Sequence, residues 1–218
     1  MSDKQTGPAD GFDPRLRTRN RAILVLLLVL AMLPLWGAIW FYYGDPASVT
    51  EARTNNGALI DPPAQLEELE LADDRGPVVT GEQRIWRLVF VAPTPCDSAC
   101  FDQLALLRQL HVLLGRESER VMRIAAFPGP IDNGTQARLQ ETFPRLDLAI
   151  GAPDLIARTV VGRALRSGES DFDATEPPAT GILTVDPLGN VVFLHRIDQI
   201  GEPLLFDLKR LLRLSNIG

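Results

Sequence analysis

A chain of 218 residues, 45% of them hydrophobic, is long enough for one ordinary domain with appendages and apolar enough for a real core, which excludes global disorder. Two cysteines are too few to staple a disulfide-rich mini-fold. A net charge of −6 argues against nucleic acid as a partner, because such a partner needs a basic surface.

The charge is unevenly placed. Residues 1–21 hold five basic residues (Lys4, Arg15, Arg17, Arg19, Arg21) and three acidic ones (Asp3, Asp10, Asp13), a local +2, so the remainder carries −8. Next comes "AILVLLLVLAMLPLWGAIWFYY", residues 22–43, with no charge. At about 1.5 Å per residue, roughly 20 apolar residues cross the hydrocarbon core of a bilayer. Trp36, Trp40, Tyr42 and Tyr43 gather at its far end, as amphipathic rings do at a membrane interface. A cleaved signal peptide would have a shorter apolar stretch ending in small residues. The expected organisation is therefore a cytoplasmic tail (1–21), a transmembrane helix (22–43), a linker or irregular segment (44–65) and a globular domain (66–218). Basic residues precede the helix, and only Arg53 follows within about 20 residues, so the positive-inside rule places the domain on the far side. In a bacterium that is the periplasm, where disulfides persist.

Along the domain, "LELADDRGPVV" alternates apolar and polar residues and reads as a short strand or hairpin. "RIWRLVFVAP" is a continuous apolar stretch suited to a buried central strand. The cysteine turn "PTPCDSAC" follows, and from about Ser98 the spacing of Cys100, Leu104, Leu107, His111 and Leu114 predicts a helix ending at Gly115. "RVMRIAAF" reads as the next strand. "TQARLQETF", capped near Asn133 or Thr135, and "PDLIARTVVGRAL" read as helices, with "SGESDFDATEPPA" a polar loop. "GILTVDPLGNVVFLHR" predicts a hairpin, and "EPLLFDLKRLLRL" an amphipathic helix starting near Pro203. The layout β-α-β-α-β-β-α puts Cys96 and Cys100 at the C-terminal end of a central parallel strand, where open α/β sheets place their sites.

The cysteines admit three readings. At a helix start the macrodipole favours a thiolate at Cys96, while the adjacent Asp97 carboxylate opposes it. A redox pair is one reading. A disulfide is geometrically open, since helical residues i and i+4 have Cα atoms about 6 Å apart. Two thiolates also suit Cu(I), which would want a third ligand such as an imidazole. His111 lies eleven residues after Cys100 on the same helix, about 16 Å away, and cannot serve; it reads as a partly buried helix histidine. His195, alternating with Val191 and Phe193, ends a hairpin strand that returns toward the cysteine end, so it can approach the site or remain an ordinary edge-strand histidine.

These stretches resemble the thioredoxin-like superfamily and, within it, the Sco/SenC family of cytochrome oxidase assembly proteins, which carry one N-terminal membrane helix. "LELADDRG" (Leu69, Leu71, Asp73, Gly76), "VFVAPTPCDSACFDQL" (Thr94, Cys96, Cys100, Leu104) and "GILTVDPLGNVVF" (Asp186, Gly189) carry the resemblance over residues 22–218, loosely in the middle. It implies an α/β thioredoxin-like domain on a single N-terminal transmembrane helix. It also implies Cys96 and Cys100 as the working residues, Cu(I) as a possible metal, and oxidase subunits or another assembly factor as partners. Two departures stand out. The family has proline after each cysteine, where this chain has Asp97 and Phe101. Its copper-binding histidine, eleven residues before Gly189, is replaced by Pro178, leaving His195 as the one alternative third ligand beside Cys96 and Cys100. The expected function is help in cytochrome c oxidase assembly through thiol–disulfide or Cu(I) handling. The alternatives are a general periplasmic thiol–disulfide oxidoreductase and a non-catalytic tethered interaction domain with a structural disulfide.

Overall fold

The computed structural model describes residues 14–44, 55–73, 76–77, 84–166 and 178–215. Residues 45–54 of the expected linker, residues 1–13 of the expected tail and most of the polar loop lie outside these residues. The chain divides into two units, 1–52 and 53–218.

In the first unit, Pro14–Gly44 forms one helix, α1, which runs through Pro34. Its stretch Arg19–Trp40 spans 22 residues, is apolar on all sides and is wholly unburied, so it has the length and composition to cross a membrane.

In the second unit the central strand is β4 (Trp86–Val91), every residue of which is buried. Around it lie β1 (Ala58–Gln65), β2 (Ala72–Asp73), β3 (Gly76–Pro77), β5 (Val121–Phe127), β6 (Leu146–Ile150), β7 (Ala164–Arg166), β8 (Gly181–Val185) and β9 (Asn190–His195). The sheet order is β3-β2-β6-β5-β4-β8-β9-β1-β7. The β4–β5 and β5–β6 pairs are parallel, and β8, β9 and β1 add on antiparallel. The helices are α2 (Ser98–Leu113), α3 (Asn133–Thr142), α4 (Leu155–Val160) and α5 (Glu202–Leu214).

Alternation along the strands builds two apolar layers. Trp86, Leu88 and Phe90 face Leu104, Leu107 and Leu110 of α2 and Leu204, Leu208 and Leu212 of α5. Val89 and Val91 face the opposite way, toward Leu155, Ile156 and Val160 of α4 and toward Leu66 and Leu69, which lie in a 3-10 turn at Leu66–Leu69.

Three parts of the sequence reading are corrected. The segment 44–65 is not irregular throughout, because Ala58–Gln65 is β1, held between β9 and β7. Pro62 and Pro63 hide it in the sequence; they sit where the β1–β9 register shifts between Leu59 and Ala64, an irregularity that tolerates residues unable to donate to a ladder. "RLDLAI" is a third parallel strand that the reading lacked. The helix expected over "PDLIARTVVGRAL" ends at Val160; Gly162, at φ +69°, turns the chain into β7.

Candidate functional site

The parallel ladder continues one residue past β4, with Ala92 N donating to the Ala126 carbonyl at 2.9 Å. The chain then leaves the sheet through Pro93 and the Thr94–Pro95 peptide, which is cis. Asp97, in extended conformation, caps α2 by accepting from Cys100 N at 3.0 Å. Its carboxylate satisfies one of the donors that a helix start leaves free. Cys96 therefore lies just outside the helix and Cys100 in its first turn.

The two sulfurs are joined in a disulfide with the Cα atoms 5.3 Å apart. Cys100 is 0% exposed and belongs to the apolar layer between the sheet and α2. Cys96 is half-buried and packs on the edge of that layer. The pair thus has one member at the edge of the core and the other within it. The residues that replace the family's prolines both have structural roles. Asp97 is the cap, and Phe101 packs against Phe143 at 6.1 Å between ring centroids, under the Arg138 guanidinium at 4.4 Å.

His195 does run to the cysteine end of the sheet. It pairs with Ile182, which pairs with Phe90 near the end of β4, so these side chains share the α2/α5 face. The structure does not bring it to the cysteines. Asp207 of α5 holds it, with Nε2 of His195 donating to Oδ2 at 3.0 Å. The same oxygen accepts from Asn56 N at 2.8 Å and Gly57 N at 2.9 Å. Both side chains are almost fully enclosed, with His195 1% and Asp207 3% exposed. Gly57 lies so close that a β-carbon there would stand 2.5 Å from the imidazole. Burial raises the Asp207 carboxyl, but the hydrogen bonds from His195, Gly57 and Asn56 outweigh it and hold the group below the ordinary carboxylate value. The alternation expected for Val191, Phe193 and His195 also breaks. A register shift in the β8–β9 ladder sends Val191 to the other layer and leaves Phe193 beside His195, at 5.9 Å between ring centroids.

His111 is half-buried, as expected, and its Nε2 hydrogen-bonds the carbonyls of Val121 at 2.9 Å and Ser118 at 3.0 Å. The residue that sequence reading missed is Asp207. Its signal was present, because a carboxylate on the apolar stripe of α5, beside Leu204 and Leu208, requires a buried partner.

Copper, the metal implied by the resemblance, does not fit these donors. The Cys96 and Cys100 thiols are available only in the reduced pair, and a third ligand is not in place, because Pro178 stands at the family's histidine position and His195 is committed to Asp207. Among the described residues no cluster of three or more His, Cys, Asp or Glu side chains could hold a metal ion.

A cysteine pair in the turn between a central parallel strand and a helix, with a βαβ unit on one side and a late hairpin on the other, defines a thioredoxin-like domain. The chain belongs to the family described as transmembrane-like, thioredoxin-like, C-terminal domain, whose model matches residues 86–215, more than half of the sequence. No curated protein matches it.

Solved structures similar to this chain include copper-bound ScoI from Bradyrhizobium japonicum, at 20% identity and TM-score 0.42, covering 72% of this chain and 99% of ScoI. The thioredoxin domain of a thiol–disulfide oxidoreductase from Bacteroides vulgatus is similar at 14% identity and TM-score 0.44, covering 68% of this chain and 98% of that one. A putative protein disulfide isomerase from Bacteroides thetaiotaomicron is similar at 12% identity and TM-score 0.47, covering 73% and 95%. Family membership rests on the family model and not on these likenesses.

Proposed function

We propose that this protein is a membrane-anchored thiol–disulfide exchange protein working through Cys96 and Cys100 on the far side of the membrane from its N-terminus. The observation that carries the proposal is the unequal burial of the two cysteines, with Cys96 partly exposed and Cys100 at 0% exposure. A client sulfur can reach only Cys96. Cys100, one helical turn inward, is shielded from clients and within bonding reach of Cys96.

In the reduced protein the Cys96 thiolate attacks one sulfur of a client disulfide. An S–S bond forms between Cys96 and the client, and the second client sulfur leaves as a thiolate and takes a proton. The Cys100 thiolate then attacks Cys96 Sγ, forming the intramolecular disulfide and expelling the first client sulfur. The client gains two electrons and two protons, and the protein gives up the same. The reverse sequence oxidises a client dithiol.

The resemblance to Sco/SenC proteins supports cytochrome c oxidase assembly as the setting, with oxidase subunits or another assembly factor as clients. The basic residues before α1 support a cytoplasmic N-terminus and a periplasmic domain.

The test uses the reduced full-length chain in detergent with a disulfide-bonded client peptide. Wild type reduces the peptide, Cys96→Ser does not, and Cys100→Ser accumulates a mixed disulfide at Cys96 visible by mass. A wild type that leaves both the peptide and a small aromatic disulfide untouched overturns the reading in favour of a structural disulfide. Loss of oxidase activity on deletion, restored by wild type and not by Cys96→Ser, tests the setting.

A further inference from the structure

We infer that the cleft at the C-terminal ends of β5 and β6 is a client-recognition subsite for the cysteine pair. It would take an apolar side chain flanking the client's reactive cysteine, in a segment that is basic rather than acidic. This rests on the exchange reading above and adds the class of substrate.

The cleft has a volume of about 550 Å³, room for one large side chain with some of its backbone. Its walls include Phe127, Ile131, Leu148 and Ile150, and Ile150 leaves 44% of its surface exposed. Exposed apolar surface of this kind at a concave site marks a place for a ligand or partner.

Its position ties it to the cysteines. The ladder bond from Ala92 N to the Ala126 carbonyl sets the start of the cysteine turn beside the end of β5, and the next residue, Phe127, lines the cleft. Ile131 lines the cleft and packs against the same apolar layer that Cys96 borders and Cys100 enters. Neighbouring strands lie about 4.8 Å apart, so the ends of β5 and β6 that form the cleft are one and two strand spacings, on the order of 5–10 Å, from the end of β4, where the cysteine turn begins. An extended peptide advances about 3.3 Å per residue, so a side chain two to four residues from a client cysteine engaged at Cys96 reaches the cleft.

Charge sets the second preference. Among the described residues, the ionisable ones lining the cleft are Glu70 and Asp73, both carboxylates. Glu70 also meets Arg158 at 3.1 Å, an exposed pair that solvent screens. An acidic rim favours a basic client segment and disfavours an acidic one.

The test uses the reduced full-length chain in detergent and four peptides, each closed by a disulfide between two cysteines. They carry Leu or Ser three residues from the first cysteine, and Lys or Glu beside that position. The rate of peptide reduction is read by acid quench and mass, with a small aromatic disulfide as the reference substrate.

The Leu/Lys peptide is expected to react at least about tenfold faster than the Ser/Glu peptide. Ala72→Trp, which fills the cleft from exposed β2, should shrink the Leu-over-Ser ratio to under about twofold and leave the reference rate unchanged. Ile150→Ser should do the same by removing a wall, and it keeps the test in hand if Ala72→Trp does not fold. Glu70→Gln with Asp73→Asn should erase the Lys-over-Glu preference. Equal rates for all four peptides alongside a normal reference rate would overturn the subsite and leave the exchange activity standing. No reaction with any peptide or with the reference would overturn both.

Discussion

Cys96 and His195 stand at the same end of the sheet and on the same side of it, and the fold uses them in opposite ways. The cysteine turn projects beyond the ladder, with Cys96 partly exposed and Cys100 fully enclosed. His195 ends a strand inside the sheet, 1% exposed, with its Nε2 on Asp207 and its Nδ1 buried without a hydrogen-bond partner. One region can react with a second molecule. The other joins β9 and α5 to the chain at Asn56–Gly57, just before β1. A residue type suited to chemistry is therefore not evidence of chemistry; accessibility and existing partners decide.

The largest effect expected follows from separating the two regions. Asp207→Ala strips the acceptor from His195 and from two backbone N–H groups in an enclosed site, and should cost about 3–5 kcal/mol in urea unfolding. The folded fraction should still exchange disulfides at the wild-type rate, whereas Cys96→Ser should lose exchange and stay folded. An Asp207→Ala protein that folds normally but exchanges slowly would break the division. Because the Asp207 carboxyl is held below its ordinary value, its contribution is complete above about pH 4 and is lost as pH falls through the folded value. Asp207→Asn should flatten that acid limb of the stability profile.

Gly57→Ala is expected next. The added methyl would meet three imidazole atoms at 2.5–2.8 Å, and the ring is pinned by Asp207, so the cost should be about 1–3 kcal/mol by denaturant melt. An unchanged melt would mean that the His195 region gives way more easily than this packing allows. Reduction of the disulfide should cost about 2 kcal/mol, small because the closed loop is short. Paired unfolding curves with and without reductant measure it, and the exchange function needs the reduced form to stay folded. The smallest effect is Asp97→Ala, about 1 kcal/mol from the lost helix cap, with Asp97→Asn retaining most of it. Thermal unfolding of the two variants separates the cap from the charge.

Much of this architecture is legible in the sequence because local pattern and tertiary role agree. The apolar stretch of β4, the 4-3-4-3 spacing of α2, the hairpin turn at Asp186–Gly189 and the amphipathic α5 each state their burial directly. Asp186 accepts from the N–H groups of Leu188 and Asn190, both at 2.8 Å, as a turn aspartate should. The candidate site was legible to the level of two cysteines at the end of a central strand. β1 and β6 were not, since two prolines interrupt one and the other is five residues long with Asp147 within it.

From the sequence alone follow the apolar helix near the N-terminus, the α/β class, the placement of Cys96 and Cys100 after a buried strand, and the existence of α2 and α5. These depend on composition and on periodicities of two and 3.6 residues, which the chain carries within short windows. Only the tertiary structure decided that His195 belongs to Asp207 rather than to the cysteines, and that Ala58–Gln65 joins the sheet. The His195 site needs Asp207, 12 residues on in a different element, and Asp207 in turn needs Gly57, 150 residues away, while β1 needs β9, and no local pattern encodes such partners.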